Sequence, residues 1–310
     1  MDLASAYRSC ARVARREARN FYYAFLSLPK RQRLAVYALY TFCREADDVA
    51  DSEASYDASE ALTPDSARSV VRRGCVVHAD SGSVEGRREQ LGRMRERLAR
   101  AAAGEPDGGP DQALADAIDR FGVDAGDLGD VLTGMEIDLT QTRVETFDAL
   151  RSYCYHAASA VGLATLPILN AGVPPTDVMR EAAVDLGLGM QFVNILRDIA
   201  EDLDRDRIYL STEEMDAFGV DEAMLKGRSM TDELVRFLSQ QAGRAEEYLT
   251  RGRRLLPLLP RSGRRCPWLL AELYGRILAR IKAANYDVFG ERMGLSKRRK
   301  ILLLLRSLWR

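Results

Sequence analysis

Two aspartate-rich clusters, about 150 residues apart, constrain this chain more than any other feature. The first reads Arg44-Glu45-Ala46-Asp47-Asp48-Val49-Ala50-Asp51, and the second Asn194-Ile195-Leu196-Arg197-Asp198-Ile199-Ala200-Glu201-Asp202. Each holds a D-x-x-x-D pattern inside an apolar run of helical period. Residues i and i+4 of a helix share a face. Asp47 and Asp51 therefore point the same way, and so do Asp198 and Asp202. Like charges at that spacing are mildly destabilising. Two such pairs need something cationic between them.

Helical signals continue along nearly the whole sequence. Leu34, Ala38, Leu39 and Phe42 recur at helical spacing between residues 31 and 51, just after Pro29, which suits a helix boundary. Residues 89–103, 112–121, 127–138, 147–165, 177–203, 230–256 and 267–290 also read as helical. No alternating run of Val, Ile or Thr predicts a sheet. Residues 52–87 are rich in Ser, Asp, Gly and Ala and read as an irregular insertion, and 104–111 as a turn-rich connection. Neither separates two segments with their own core-forming patterns. The expectation is one all-α domain over residues 1–310.

Between Arg151 and Asp177 no residue is charged, which is long enough to raise a membrane span. Tyr153, His156, Ser159, Gly162, Pro167, Asn170 and Gly172 interrupt it, and its middle is small rather than bulky. That predicts a buried helix, thin enough for its backbone to form a cavity wall. The start, Met1-Asp2-Leu3-Ala4-Ser5, has no basic region leading into an apolar core, so no signal peptide is expected. The five cysteines are scattered, without a C-x-x-C pair, as in a reducing cytoplasm. Cys75 and His78 alone do not make a zinc site. A net charge of −1 gives no field that favours nucleic acid.

The chemistry of the clusters follows from their donors. Mg²⁺ is a hard cation, usually held by one or two carboxylates together with substrate phosphates. Two facing carboxylate rows suit magnesium bridged by a diphosphate, and metal ions neutralise the charge that develops as a carbon–oxygen bond breaks. Arg44 precedes Asp47 by three residues, with Tyr40 and Tyr37 further back on the helix. Gln191 and Asn194 place neutral oxygens seven and four residues before Asp198. Arg197, Arg205 and Arg207 add guanidinium groups, which grip phosphate in bidentate fashion. A single such aspartate pair is more often a solvated acidic helix face; two, with these flanks, point to a diphosphate site.

The run from Tyr40 to Asp51 resembles the first aspartate-rich signature of the squalene/phytoene synthase family. The run from Gln191 to Asp202, continued by Asp206-Arg207-Ile208-Tyr209-Leu210, resembles the second, and this match is long and specific. Gly134-Met135-Glu136-Ile137-Asp138-Leu139 and the segment from Tyr153 to Gly162 are also similar to family segments. Asn20-Phe21-Tyr22-Tyr23-Ala24-Phe25 before Leu28-Pro29 resembles the family's bacterial presqualene diphosphate synthases of hopanoid pathways. The resemblance covers about residues 5–290 and departs from the family in the Ser/Gly-rich stretch at about 55–87.

The resemblance implies an isoprenoid-synthase helical bundle around a central cavity. It implies head-to-head joining of two allylic prenyl diphosphates, two farnesyl diphosphates in the branch named above. Some relatives continue to squalene with NADPH or to dehydrosqualene without it. It assigns Mg²⁺ (or Mn²⁺ in its place) to Asp47, Asp51, Asp198 and Asp202, with Asn194 a further metal or diphosphate contact. Diphosphate falls to Arg44, Arg197 and Arg207, and the reacting end of the cavity to Tyr40 and Gln191. Asp48 lies off the Asp47–Asp51 face. NADPH use stays open, because the family's reductases do not need the dinucleotide fold whose G-x-G-x-x-G motif is absent here. A phytoene synthase using two geranylgeranyl diphosphates is the nearest rival. A terpene cyclase would usually lack the second signature, and a non-catalytic assembly factor of the same fold could lose the ligands that are intact here.

Tyr22, Tyr40, Tyr155 and Tyr248 are candidates to stabilise a carbocation through their π faces, although aromatics at helical spacing are more often plain core. His156, in its uncharged helix, reads as a hydrogen-bonded core residue. No protein base is required, since the departing diphosphate can take the proton. The end of the chain carries Lys297-Arg298-Arg299-Lys300, then apolar residues 301–305, then Arg306, Trp309 and Arg310. This suits either the surface of an anionic membrane, on its inner face, or a last helix packed on the domain.

Overall fold

The structure, a computed structural model, describes residues 2–51, 83–290 and 292–307. Most of the segment expected to be irregular (52–82), with Cys75 and His78, lies outside the described residues, as do Trp309 and Arg310. The described residues form fifteen α-helices, one π-helical turn and two short strands.

The chain opens with α1 (Leu3–Glu17) and α2 (Arg19–Leu26), neither of which the periodicity had indicated. The buried face of α1 is built from Ala6, Cys10 and Ala14, small residues that carry little hydrophobic signal. Asp2 caps this helix by accepting from the Ser5 amide at 2.7 Å. Pro29 then leads into α3 (Lys30–Asp51), which ends on the first aspartate cluster. The next helix, α4 (Val84–Ala102), starts inside the stretch expected to be irregular to residue 87. The cause is a Ser83 cap, whose hydroxyl accepts from the Gly86 amide at 3.0 Å. Pro110 starts α5 (Pro110–Phe121) and left-handed Gly122 ends it. Asp124 caps α6 (Ala125–Asp138).

The expected helix over 147–165 is broken. Thr146 caps α7 (Phe147–Cys154), a π turn follows over Tyr155–Ser159, and α8 (Ala160–Leu169) continues. The turn is squeezed between two glycines. A β-carbon on Gly134 of α6 would lie 3.0 Å from the His156 carbonyl carbon, and one on Gly187 would lie 2.6 Å from the Ser159 α-carbon. The middle of the uncharged stretch is buried as expected, with Ala160, Leu163, Ala164, Leu166 and Ile168 all under 4 % exposed, while its end at 171–174 is exposed. No helix among the described residues is long and apolar enough to cross a membrane.

Thr176 caps α9 (Asp177–Asp204), the longest helix among the described residues, which carries the second aspartate cluster at its C-terminal end. It touches α7, α8, the π turn and the later helices α12 (Asp232–Gly252), α13 (Leu255–Leu258) and α14 (Arg261–Ala283). Contrary to the sheet-free expectation, β1 (Arg143–Val144) pairs in parallel with β2 (Ile208–Ser211). Two strands this short leave no alternation for a sequence to display. Short helices α10 (Thr212–Ala217) and α11 (Glu222–Lys226) precede α12, and α15 (Lys297–Ser307) follows α14. The expected helices at 230–256 and 267–290 are thus a helix plus a separate turn, and a helix shifted six residues earlier, after Pro260.

Candidate active site

The first row stands on the last turns of α3. Glu45 faces α4 and α5, where Arg97 of α4 bridges it (2.8 and 3.1 Å) to Asp111 of α5. That anchor fixes the rotation of α3 and leaves Asp47 and Asp51 on another face. Arg44 donates to Asp47 at 2.6 Å and to Asp48 at 2.5 Å, so Asp48 serves here as an arginine partner. The Arg44 Nε is buried without a partner.

The second row stands on α9. Arg197 is 11 % exposed and its guanidinium grips the neighbouring Asp198, with Nε at 2.8 Å. Arg292, from the segment after α14, reaches the same carboxylate with two hydrogen bonds of 2.7 and 2.9 Å and lies 3.3 Å from Glu201. Asn194 donates to Gln191 at 3.1 Å, while its buried Oδ1 has no partner.

A tight reversal joins the rows. After α9, Asp206 adopts a left-handed conformation (φ 53°), which a non-glycine residue tolerates best as Asn or Asp. Arg143 of β1 holds the Asp206 side chain at 2.7 Å. The Arg207 amide then folds back onto the Asp202 carbonyl at 2.8 Å, and β2 pairs with β1. The turn carries the Arg207 guanidinium to 3.6 Å from Asp51, with Arg205 at 3.9 Å. Asp138, the last residue of α6, joins them. It accepts from Tyr209 at 2.9 Å and from Tyr153 at 3.4 Å, and these two rings are stacked with centroids 4.8 Å apart.

The carboxylates do not share one electrostatic state. Burial, reinforced by Asp51, Asp48 and Asp138 and opposed by Arg44, pushes Asp47 up to about 6. Burial, together with Asp198 and Glu201 and against Arg207 and Arg205, pushes Asp202 up to about 7. Burial also disfavours the charge on Asp198, but Arg197 and Arg292 outweigh it and hold its carboxyl below the usual range. Desolvation holds the half-buried Asp138 above its usual range, against Tyr209, Arg207 and Tyr153.

An aromatic group packs beside the rows. Tyr22 stacks on Tyr37 (6.4 Å), and Phe25 meets both Tyr37 and Tyr40 edge-on (6.0 and 5.8 Å). Phe21 leads on to the buried Tyr274 of α14, which interacts with Asn194 and Arg197. Burial pushes the Tyr40 hydroxyl up to about 12. Two of the tyrosines expected near the chemistry sit elsewhere. The Tyr155 hydroxyl donates to Asp130 at 2.9 Å. That residue lies eight before Asp138 on α6, about 12 Å along the axis. Tyr248 packs against Phe192, with the Arg251 guanidinium over its ring. His156 is hydrogen-bonded to the Ser152 carbonyl at 2.8 Å.

Three residues of this arrangement were not singled out from sequence: Asp138, Tyr274 and Arg292. Of these, only Asp138 lay in a segment already noted for its family likeness.

A model of the squalene/phytoene synthase family matches residues 14–299. The chain belongs to the squalene/phytoene synthase family. It is a prenyltransferase with the all-α isoprenoid-synthase fold. The synthase is 32% identical over 313 residues to a 15-cis-phytoene synthase of Synechococcus elongatus, covering 98% of this chain and 92% of that one. It is 33% identical to a chloroplastic phytoene synthase of Daucus carota over 97% and 70% of the two chains. Among solved structures it superposes on a ligand-bound dehydrosqualene synthase with a TM-score of 0.81 at 30% identity, covering 99% and 96%. The squalene synthase HpnC from Alicyclobacillus acidocaldarius gives 0.77 at 25%, covering 92% and 95%.

For a metal, the synthase offers carboxylate and amide oxygens. Among the described residues, no three carboxylate, histidine or cysteine groups already converge as a metal-binding set. Asp198 instead carries two arginines. The donors nevertheless suit a hard cation. Asp47 and Asp202 hold their protons up to about 6 and 7 because they are partly desolvated beside other carboxylates, and the Asn194 Oδ1 is a buried oxygen with nothing to accept from.

Proposed function

We propose that the synthase joins two farnesyl diphosphates head to head to give presqualene diphosphate. The observation that carries this reading is the Arg207–Asp51 ion pair. It ties the second aspartate row to the first around a set of guanidinium groups. Arg44 and Arg207, each already beside a carboxylate of the first row, bind diphosphate oxygens. Arg197 keeps Asp198 ionised and oriented. Asp47, Asp51, Asn194, Asp198 and Asp202 would hold Mg²⁺ or Mn²⁺. When bound, such an ion neutralises the charge gathering on the departing diphosphate.

In the reaction the C1–oxygen bond of one substrate breaks and diphosphate leaves. The C2–C3 double bond of the second substrate attacks C1, and loss of a proton to the released diphosphate closes a cyclopropane. Tyr40, Tyr22 and their aromatic neighbours face the cation with π electrons and exclude water. Tyr155 and Gln191 complete the substrate contacts, with Tyr155 about two turns of α6 away from the diphosphate end.

The dehydrosqualene and squalene synthase structures support the C15 substrate. A second reading, with two geranylgeranyl diphosphates, is supported by the phytoene synthases among the sequence relatives. Mass spectrometry of products from C15 or C20 diphosphate and Mg²⁺, with and without NADPH, separates them. A C30 product from the C15 substrate is expected. Turnover of the C20 substrate alone would replace the first reading with the second, and a reduced C30 hydrocarbon only with NADPH would extend the reaction to squalene.

The raised carboxylates give the metal-free protein a pH signature. An acid whose pKa is higher in the folded state stabilises that state at low pH, and the contribution disappears as pH rises through the folded value. For Asp47 and Asp202 the loss falls between about pH 4 and 8. Metal needs these carboxylates ionised, so its stabilisation grows over the same window. Scanning fluorimetry should show a larger Mg²⁺-induced rise in Tm at pH 8 than at pH 6. Equal rises would contradict the assignment of these groups to the metal.

We place the synthase in the cytoplasm, peripheral on the inner face of the membrane, where its water-insoluble prenyl product can enter lipid.

A further inference from the structure

α14 and α15 diverge around a cleft of about 560 Å³ whose walls carry four arginines. Arg276 and Arg280 stand one turn apart on α14; Arg299 and Arg306, two turns apart, share a stripe of α15 with Leu302 between them. Ala279, Leu295 and Leu303 supply apolar lining. Among the described residues, the carboxylate within ion-pair distance of Arg276 is Glu272, at 4.0 Å, which is also held by Arg253 at 2.8 Å. Arg280 donates to the Gly294 carbonyl. Among the described residues, neither Arg299 nor Arg306 has a carboxylate within ion-pair distance. Four guanidinium groups line one concavity, two of them without a carboxylate among the described residues, and this charge favours an anion there.

The surface beside the cleft says which anion. One face of α15 is fixed to the protein: Leu303 and Ser307 are buried, and Lys300 lies over the Tyr23 ring. The opposite face presents Ile301, Leu302 and Leu305, exposed to 46 %, 65 % and 51 %. A guanidinium fork matches phosphate oxygens. An exposed apolar face beside basic groups matches the boundary between lipid headgroups and acyl chains. A free phosphate would use the arginines and leave those three side chains in water.

We propose that the α14–α15 cleft seats the headgroup phosphate of an anionic phospholipid, with Ile301, Leu302 and Leu305 resting at the acyl boundary. This deepens the peripheral-membrane reading above and rests on it. The cleft lies next to the chemistry along the chain: Leu295 lines it, and Arg292, three residues earlier, holds Asp198.

The test is vesicle co-sedimentation of the full chain at low salt, with phosphatidylcholine vesicles with or without 30 mol% phosphatidylglycerol (~30 mol%, enough to give an anionic surface). Wild type should bind only the anionic vesicles. Arg299→Gln with Arg306→Gln should weaken binding by about 10- to 30-fold, with unchanged Tm and unchanged turnover of detergent-dispersed substrate. Arg276→Gln with Arg280→Gln should weaken vesicle binding to a similar degree, with a lower Tm because Arg280 also holds the Gly294 carbonyl. Lysine at 299 and 306 keeps the charge without the fork and should restore binding only in part. Full restoration by lysine would mean a diffuse basic surface and would overturn the seat. Deleting residues 297–310 separates the two readings. If the deletion abolishes binding and the glutamine variants do not, the membrane contact stands and the headgroup seat is wrong. If wild type binds no vesicle, both are wrong. A Tm rise with inorganic phosphate, lost in the glutamine variants and without vesicle binding, would make the cleft a free-anion site and overturn the lipid proposal.

Discussion

Asp198→Ala lowers turnover by about three orders of magnitude and also destabilises the protein, whereas Asp202→Asn loses activity to a similar degree but stabilises the metal-free enzyme at pH 8. The loss of rate is the scale expected when a charge-stabilising contact to the transition state is removed. The stabilities diverge because the two neighbours on one helix face have opposite partners. Asp198 is 16 % exposed and paired with Arg197, itself 11 % exposed. Truncating it strands a buried guanidinium, which typically costs about 3–5 kcal/mol when a buried pair is broken, moderated here because Arg292 is half-exposed. Asp202, by contrast, is a half-buried acid pushed up to about 7 by desolvation, with Asp198 and Glu201 repelling its charge. An amide relieves both. Asp51→Ala should match the activity loss, while Arg207 and Arg205 lose only a partly exposed partner. Steady-state kinetics and thermal melts of the three variants decide the matter. Retained turnover in both alanine variants would remove the metal and diphosphate roles from these rows. A stabilised Asp198→Ala would show that Arg197 finds another partner.

The second large effect is structural. Gly187→Ala and Gly189→Ala should each destabilise the synthase by about 2–4 kcal/mol, or about 5–15 °C in Tm. A β-carbon at 187 would lie 2.6 Å from the Ser159 α-carbon and 2.9 Å from its amide nitrogen; one at 189 would lie 2.6 Å from the Leu249 amide nitrogen. Both obstacles are backbone, which cannot swing aside as a side chain can. α9 is thus clamped between the π turn and α12, and it is this helix that holds Gln191, Asn194, Asp198 and Asp202 in register. By comparison, Gly243→Ala on α12, where nothing lies within 4 Å, should be neutral or slightly stabilising. Thermal melts of all three variants test the argument, and an unchanged Tm for Gly187→Ala would mean that the π turn yields at no cost.

The aspartate rows were legible because a helix converts spacing directly into direction. Asp47 with Asp51, and Asp198 with Asp202, needed nothing beyond the 3.6-residue period. Arg44 and Arg207 were legible because they are neighbours in sequence of the groups they serve. Arg292 was not, because 94 residues separate it from Asp198 and no local pattern encodes the meeting. Tyr274 looked like any apolar residue of an amphipathic helix. The same limit hid α1, whose interface is made of alanines and a cysteine, and the π turn, which depends on glycines of two other helices. What a single helix determines could be read from its residues; what two elements determine jointly became visible only once they were placed together.

The charge balance of the site crosses its own motifs, and this bears on recombination between relatives. Arg207 belongs by sequence to the second signature, yet it neutralises Asp51 of the first; Asp198 belongs to the second, yet takes one of its two cations from beyond α14. A chimera joined between residues 202 and 207 would inherit the second carboxylate row from one parent and the first row's counter-ion from the other. The signatures are therefore poor units of exchange. The inherited unit is α3 together with the α9–β2 turn and the Arg292 segment, three stretches far apart in the gene that must travel as one.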